Sequence, residues 1–194
     1  MDKIKALEEY LYKAIDLFYK NDAQSLYDKS GELSALERSY VFRVAYYLQS
    51  MLDTDKRFKE VVVDCEYGNA TSNTGECLTK YMTREGVRPD KKAQNKDCVF
   101  PDLIVHKRHT HKKNLLVAEF KGYWNTSDWE KDGRKLKLFT KKAPVNNLEQ
   151  FFSYCAGVFV VFGKKQRYTI IYRNGEQETK NISIKFLKQQ KETL

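Results

Sequence analysis

The chain of 194 residues falls within the size range of one ordinary domain, long enough to bury a core without disulfides or a structural metal. Hydrophobic residues at 41%, with 13 Tyr and 11 Phe, exclude a disordered composition. Lys and Arg outnumber Asp and Glu by 35 to 26, a formal charge of +9 that favours a polyanionic partner, although a merely solvated basic surface gives the same balance.

From Asp2 to Tyr19, Ile4, Leu7, Leu11, Ile15 and Phe18 recur at helical spacing and predict an amphipathic helix. This segment carries charges throughout, and nowhere does an apolar run approach the ~18 residues of a membrane span, so neither signal peptide nor membrane helix is expected and a cytoplasmic location is. Asn21 to Leu33 holds turn formers, and Ser34 then opens a second predicted helix through about Leu52. On it Glu37, Val41, Val44, Leu48 and Met51 share one stripe, which should pack on a sheet.

Phe58 to Tyr67 has the β-branched run of a strand, and the polar stretch Gly68 to Lys96 reads as a long insertion able to border a substrate groove. Two strands follow, Val99 to Lys107 and Asn114 to Tyr123, joined as a hairpin by the basic turn Arg108 to Lys113. Ser127 begins a basic helix that Pro144 ends, and a shorter helix is expected from Asn146 to Tyr154. Cys155 to Phe162 is a near-continuous apolar run, as in a strand covered on both faces. Arg167 to Tyr172 and Asn181 to Phe186 read as further strands around an Asn174-Gly175 turn. The order helix, strand, hairpin, helix, strand predicts a single α/β (α+β) domain with a mixed central sheet flanked by helices.

The four cysteines, Cys65, Cys77, Cys98 and Cys155, form no CxxC pair, and with His106, His109 and His111 they match no usual zinc spacing; free thiols in a reducing compartment are expected.

Chemistry concentrates on the hairpin. Alternation along the second strand sets Leu115, Val117, Glu119 and Lys121 on one face, and Asp102 brings a third ionisable group into the apolar run of the first. Charged groups at such positions need each other, a metal or a ligand. Two carboxylates on adjacent strands suit Mg²⁺ or Mn²⁺, which lowers the pKa of a bound water and offsets charge on phosphoryl oxygens, and a neighbouring lysine can orient that water. The alternative is a salt-bridged Glu119–Lys121 pair at a strand edge, with Asp102 capping a turn after Pro101.

Pro101-Asp102, sixteen residues, then Glu119-Phe120-Lys121, resembles the motif of the PD-(D/E)XK nuclease superfamily. The resemblance spans the element order from Ser34 to Phe162 and implies a restriction-endonuclease-like core of order α-β-β-β-α-β, here with an extra N-terminal helix and C-terminal strands. It further implies metal ligation by Asp102, Glu119 and the Phe120 carbonyl, a catalytic Lys121, and hydrolysis of nucleic-acid phosphodiesters, DNA above all. Glu37 fits the place of the additional acidic residue that such nucleases carry on the preceding helix, as both catalytic group and ligand. Its alternative role closes a Ser34-x-x-Glu37 capping box. Lys135, in Asp132-x-x-Lys135-Leu136, resembles a polar helix residue that reaches the site or the phosphate; the alternative is a solvated face with Arg134, Lys137, Lys141 and Lys142.

Further phosphate contacts are expected from Arg38 and Arg43 on the second helix and from Lys107, Arg108, Lys112 and Lys113 in the hairpin turn, with Trp124 and Trp129 as candidates for stacking on bases. A homodimer would suit duplex cleavage. The competing functions are a non-catalytic nucleic-acid-binding module, or partner-dependent subunit with the same fold, and a basic protein that binds an acidic one.

Overall fold

A computed structural model describes residues 2–26, 37–66, 69–71, 77–79, 82–83, 98–110, 113–126, 128–142, 152–163 and 167–178. Helix α1 spans Lys3–Asn21; Asp2 caps it by accepting a hydrogen bond from the Ile4 N–H at 3.1 Å. Its expected stripe is the buried one, with Leu7, Leu11, Ile15 and Phe18 fully inside and Ile4 packed at the margin. Burial of such side chains contributes about 1.5–3 kcal/mol each relative to exposure. The short α2 (Ala23–Leu26) is followed by α3 (Glu37–Thr54). On α3, Val41, Val44 and Leu48 are buried as the stripe requires, joined by Tyr40 and Leu52, while Met51 is only partly covered. Among the described residues no helix is long and apolar enough to cross a membrane.

Strand β1 (Val62–Cys65) is shorter than the expected Phe58–Tyr67, because Phe58 belongs instead to a 3₁₀ turn, Lys56–Phe58, that Asp55 caps through the Arg57 N–H. Two small ribbons follow, pairing β2 (Asn69–Thr71) with β3 (Cys77–Thr79) and β4 (Met82–Thr83) with β5 (Cys98–Val99). The predicted strand Val99 to Lys107 is divided: β5 ends at Val99 and β6 (Leu103–His106) starts after Pro101, a residue with no N–H to give to a ladder. Strand β7 (Asn114–Gly122) pairs with β6 as the expected hairpin.

Helix α4 (Trp129–Thr140) starts two residues later than expected and leads to β8 (Ala156–Phe162), β9 (Arg167–Arg173) and β10 (Glu176–Gln177). Of the predicted helix from Asn146 to Tyr154, residues up to 151 lie outside the described residues, and Phe152 to Tyr154 is not helical. The predicted strand Asn181 to Phe186 also lies outside them. The strand that does follow the turn is β10: Arg173 pairs with Glu176 across Asn174 and Gly175, both at positive φ, the two-residue turn that Asn-Gly favours.

Six strands form one mixed sheet in the order β1-β6-β7-β8-β9-β10, with β7 and β8 parallel and the other pairs antiparallel. Helices α1 and α3 cover one face, where Ala118, Phe120, Val158, Val160 and Phe162 pack; α4 covers the other, over Val117, Phe159 and Val161. Strand β8 is buried along its whole length, as its unbroken apolar run predicts. The hairpin departs from simple alternation at one place. The register shifts between Val105 and His106, so Leu115 is an extra residue in β7 and joins the α1/α3 core with Leu116 instead of facing the same way as Glu119.

Candidate active site

Strand β7 is flanked by β6 and β8 within the sheet and covered by α1 and α3 on one face and α4 on the other, so a charge at its centre must find partners. Asp102 stands just before β6, and its Oδ2 accepts the Phe120 N–H at 2.8 Å. The side chain thus continues the ladder where the backbone of Pro101 leaves it.

Glu119 is fully buried and faces α4, where Lys135 donates to its Oε2 at 2.5 Å; its Oε1 has no hydrogen-bond partner among the described residues. Lys121 lies between the helices of opposite faces, 3.3 Å from Glu37 Oε2 on α3 and 3.5 Å from Asp132 Oδ2 on α4. Asp132 reaches Lys135 as well, at 2.9 Å. The other Glu37 oxygen accepts the Gly122 N–H at 3.3 Å. Glu119, Lys135, Asp132, Lys121 and Glu37 therefore form one chain of ion pairs, and Asp102, bonded to the Phe120 N–H between Glu119 and Lys121, completes the network. The Glu37 carboxylate is directed at the end of β7; Ser34, its expected capping partner, lies outside the described residues.

Burial sets the protonation of this network. It pushes Asp102 up to about 6, against the opposing pull of the Phe120 N–H, Lys135 and Lys121. Burial, and then the charge of Asp102, holds Glu119 well above the usual carboxylate range. For the lysines burial works the other way and is outweighed: Asp132 and Glu37 hold Lys121 above its ordinary value, and Glu119 and Asp132 do so for Lys135. Both ammonium groups stay charged.

Four carboxylates surround two ammonium groups, so with every acid ionised the network lacks two positive charges. The unpartnered Glu119 Oε1 marks where cationic charge is missing. Hard oxygen donors of this kind fit Mg²⁺ or Mn²⁺. No group of three or more His, Cys, Asp or Glu side chains stands arranged as a metal-ligand set among the described residues, so a metal here would draw on two carboxylates supplemented by backbone and solvent oxygens.

A cleft of about 830 Å³ opens beside the network and shares Glu37 and Asp102 with it; Arg38, Tyr40, Val41, Phe42, Cys65, Glu66, Trp124 and Asn125 complete its described lining. Arg38 sits here, paired with Glu66 at 2.7 Å. Burial holds the Cys65 thiol up at about 11, so it is no ready nucleophile.

The hairpin turn is elsewhere. Arg108 binds Asp64 at 2.5 Å, and Lys107 and Lys113 bind Glu60 at 2.9 and 3.0 Å, at the end of the sheet opposite Lys121. Lys112 lies outside the described residues. Arg43 ties α3 to Asp22 at 2.6 Å, and Trp129 is core, packed on Phe159. None of these groups belongs to the network. Asp132, by contrast, is central to it, although its place in the sequence predicts no role beyond that of a helical neighbour of Lys135. Its signal was a carboxylate inside the buried stripe Trp129, Asp132, Leu136, Phe139 of α4.

Comparison with protein-family models, curated proteins and solved structures finds no match.

Proposed function

We propose that this chain is a metal-dependent nuclease of the PD-(D/E)XK type, with a restriction-endonuclease-like core, that hydrolyses phosphodiester bonds of nucleic acid, DNA above all. The observation that carries the reading is the meeting of Asp102, Glu119 and Lys121 at one end of β6 and β7, with Glu37 and Lys135 supplied from opposite faces of the sheet.

Asp102, Glu119 and the Phe120 carbonyl would hold Mg²⁺ or Mn²⁺, with Glu37 as a further acidic neighbour. When bound, the ion lowers the pKa of a ligated water and neutralises charge on the phosphoryl oxygens. The protein groups then have separate tasks. Lys121, kept protonated by Glu37 and Asp132, supplies a fixed positive charge for the developing negative charge of the phosphorane-like transition state. Lys135 is pinned to Glu119 and Asp132, and with a cation taking over Glu119 it would be free to meet a phosphate oxygen. The same ion pair favours a second reading, a binding module in which Lys135 permanently takes the place of the metal.

One assay separates the two. Purified protein with Mn²⁺ or Mg²⁺ should cleave end-labelled single- or double-stranded DNA or RNA, and Asp102→Ala and Lys121→Ala should each lower the rate by about 10²-fold or more. Intact polynucleotides under every condition, or equal cleavage by Asp102→Ala, would remove the nuclease reading.

A further inference from the structure

The cleft beside the network is lined by aromatic rings, an amide and a guanidinium. Its volume of about 830 Å³ lies in the range of small-molecule pockets, and aromatic rings of Tyr40, Phe42 and Trp124 supply its walls. Phe42 is 63% exposed at the rim, a large apolar surface on α3 turned to solvent. Tyr40 is buried in the wall, and its hydroxyl has no hydrogen-bond partner among the described residues. Asn125 adds an amide suited to the polar edge of a base, and Arg38 an exposed guanidinium suited to a phosphate or a ring face.

The acids of the lining are already engaged: Glu37 with Lys121 and Gly122, Asp102 with the Phe120 N–H, Glu66 with Arg38. A neutral, flat, hydrogen-bonding ligand therefore fits better than an anionic one. Because Glu37 and Asp102 border both the cleft and the charged network, a base held in the cleft belongs to a nucleotide next to the phosphate at Lys121.

We propose that this cleft receives an unpaired nucleobase flanking the scissile phosphate, so that the substrate is single-stranded or locally unpaired nucleic acid. The inference rests on the nuclease reading for the position of the phosphate. A base within a duplex cannot enter without being extruded, which sacrifices its stacking and pairing. Stacking on aromatic side chains is tolerant of base identity and is lost when the ring is replaced by alanine.

The test is a fluorescence titration of the full chain without added metal at low ionic strength, so that no strand is consumed. Trp124 borders the cleft and Trp129 is buried on the other side of the sheet, so a stacked base should quench part of the emission. Short oligothymidylate and oligouridylate strands distinguish DNA from RNA as the source of the base, with an abasic strand and a blunt duplex as controls. The expected result is quenching by one or both base-bearing strands, little by the abasic strand or the duplex, and at least tenfold weaker binding by Phe42→Ala. Phe42 is exposed, so this variant should keep the wild-type circular dichroism. Equal binding of the abasic strand or duplex, an unchanged Phe42→Ala, or no binding at all overturns the proposal. Cleavage with Mn²⁺ is scored separately. Base-dependent binding without cleavage would leave the cleft and remove the nuclease, whereas cleavage without base dependence would do the opposite.

Discussion

Asp102 has a pKa near 6 in the folded chain because burial disfavours its charge, against an ordinary value of 3.8 when the chain unfolds. Between those values the folded state holds a proton that the unfolded state has released, so the protonated acid favours folding at low pH and this advantage disappears as pH rises through 6. Glu119 acts in the same direction. The lost stability for Asp102 alone is about 3 kcal/mol. A divalent cation held by the ionised carboxylates, as proposed, would reverse the trend and should stabilise the protein at pH 8 far more than at pH 5. Thermal unfolding at both pH values with and without Mn²⁺ measures this, using Asp102→Asn as the reference that cancels the opposite contribution of acids such as Asp64, which His106 and Arg108 hold at about 2 despite its burial. Wild type and Asp102→Asn should diverge in metal-free stability between pH 4 and 6, and only wild type should gain strongly from Mn²⁺ at pH 8. Parallel curves would show that Asp102 carries neither the proton nor the cation.

Strand β7 shows how much of the site the sequence discloses. Alternation alone puts Glu119 and Lys121 on a common side, and the hairpin brings Asp102 to them; both hold because β6 and β7 pair through Leu103 and Ala118 at that end. The bulge at Leu115 was hidden, since an extra residue in one strand depends on its partner's register. The break before β6 was hidden too: Asp102 leaves the strand to accept the Phe120 N–H, a contact between residues far apart in sequence. Asp132 escapes a reading of the sequence because its two lysine partners lie one on its own helix and one on β7. Glycine at 122 is a further tertiary requirement. A Cβ there would come within 2.3 Å of the Trp124 ring, which folds back over the end of β7. Gly122→Ala must displace that ring, an overpacking cost of about 1–3 kcal/mol. Differential scanning calorimetry should record a melting temperature lower by roughly 3–10 °C. An unchanged transition would mean that Trp124 does not rest on β7 in solution, and the cleft would lose that wall.

Among the described residues the basic side chains are not equally available to a polyanion. At the hairpin end, Lys107, Lys113 and Arg108 are paired with Glu60 and Asp64, and Arg43 and Arg167 are bound to Asp22 and Asp16. On α4, Arg134 and Lys137 are exposed and have no ion-pair partner among the described residues, and they flank Lys135, which enters the network. A cation that neutralises a phosphate releases condensed counterions, so each such contact adds about 0.7 to 0.9 to the slope of log K against log salt. Position decides which lysines take part. From Asn114 to Lys121 the strand advances about 23 Å at roughly 3.3 Å per residue, so Lys113 stands far from a phosphate held at Lys121. Affinity for a short single strand, measured across a range of salt concentrations, should therefore weaken for Arg134→Ala with a slope shallower by about 0.7, and should be unchanged in both respects for Lys113→Ala. The reverse pattern would move the nucleic acid to the hairpin end of the sheet, away from Asp102, Glu119 and Lys121, and would separate binding from the proposed chemistry.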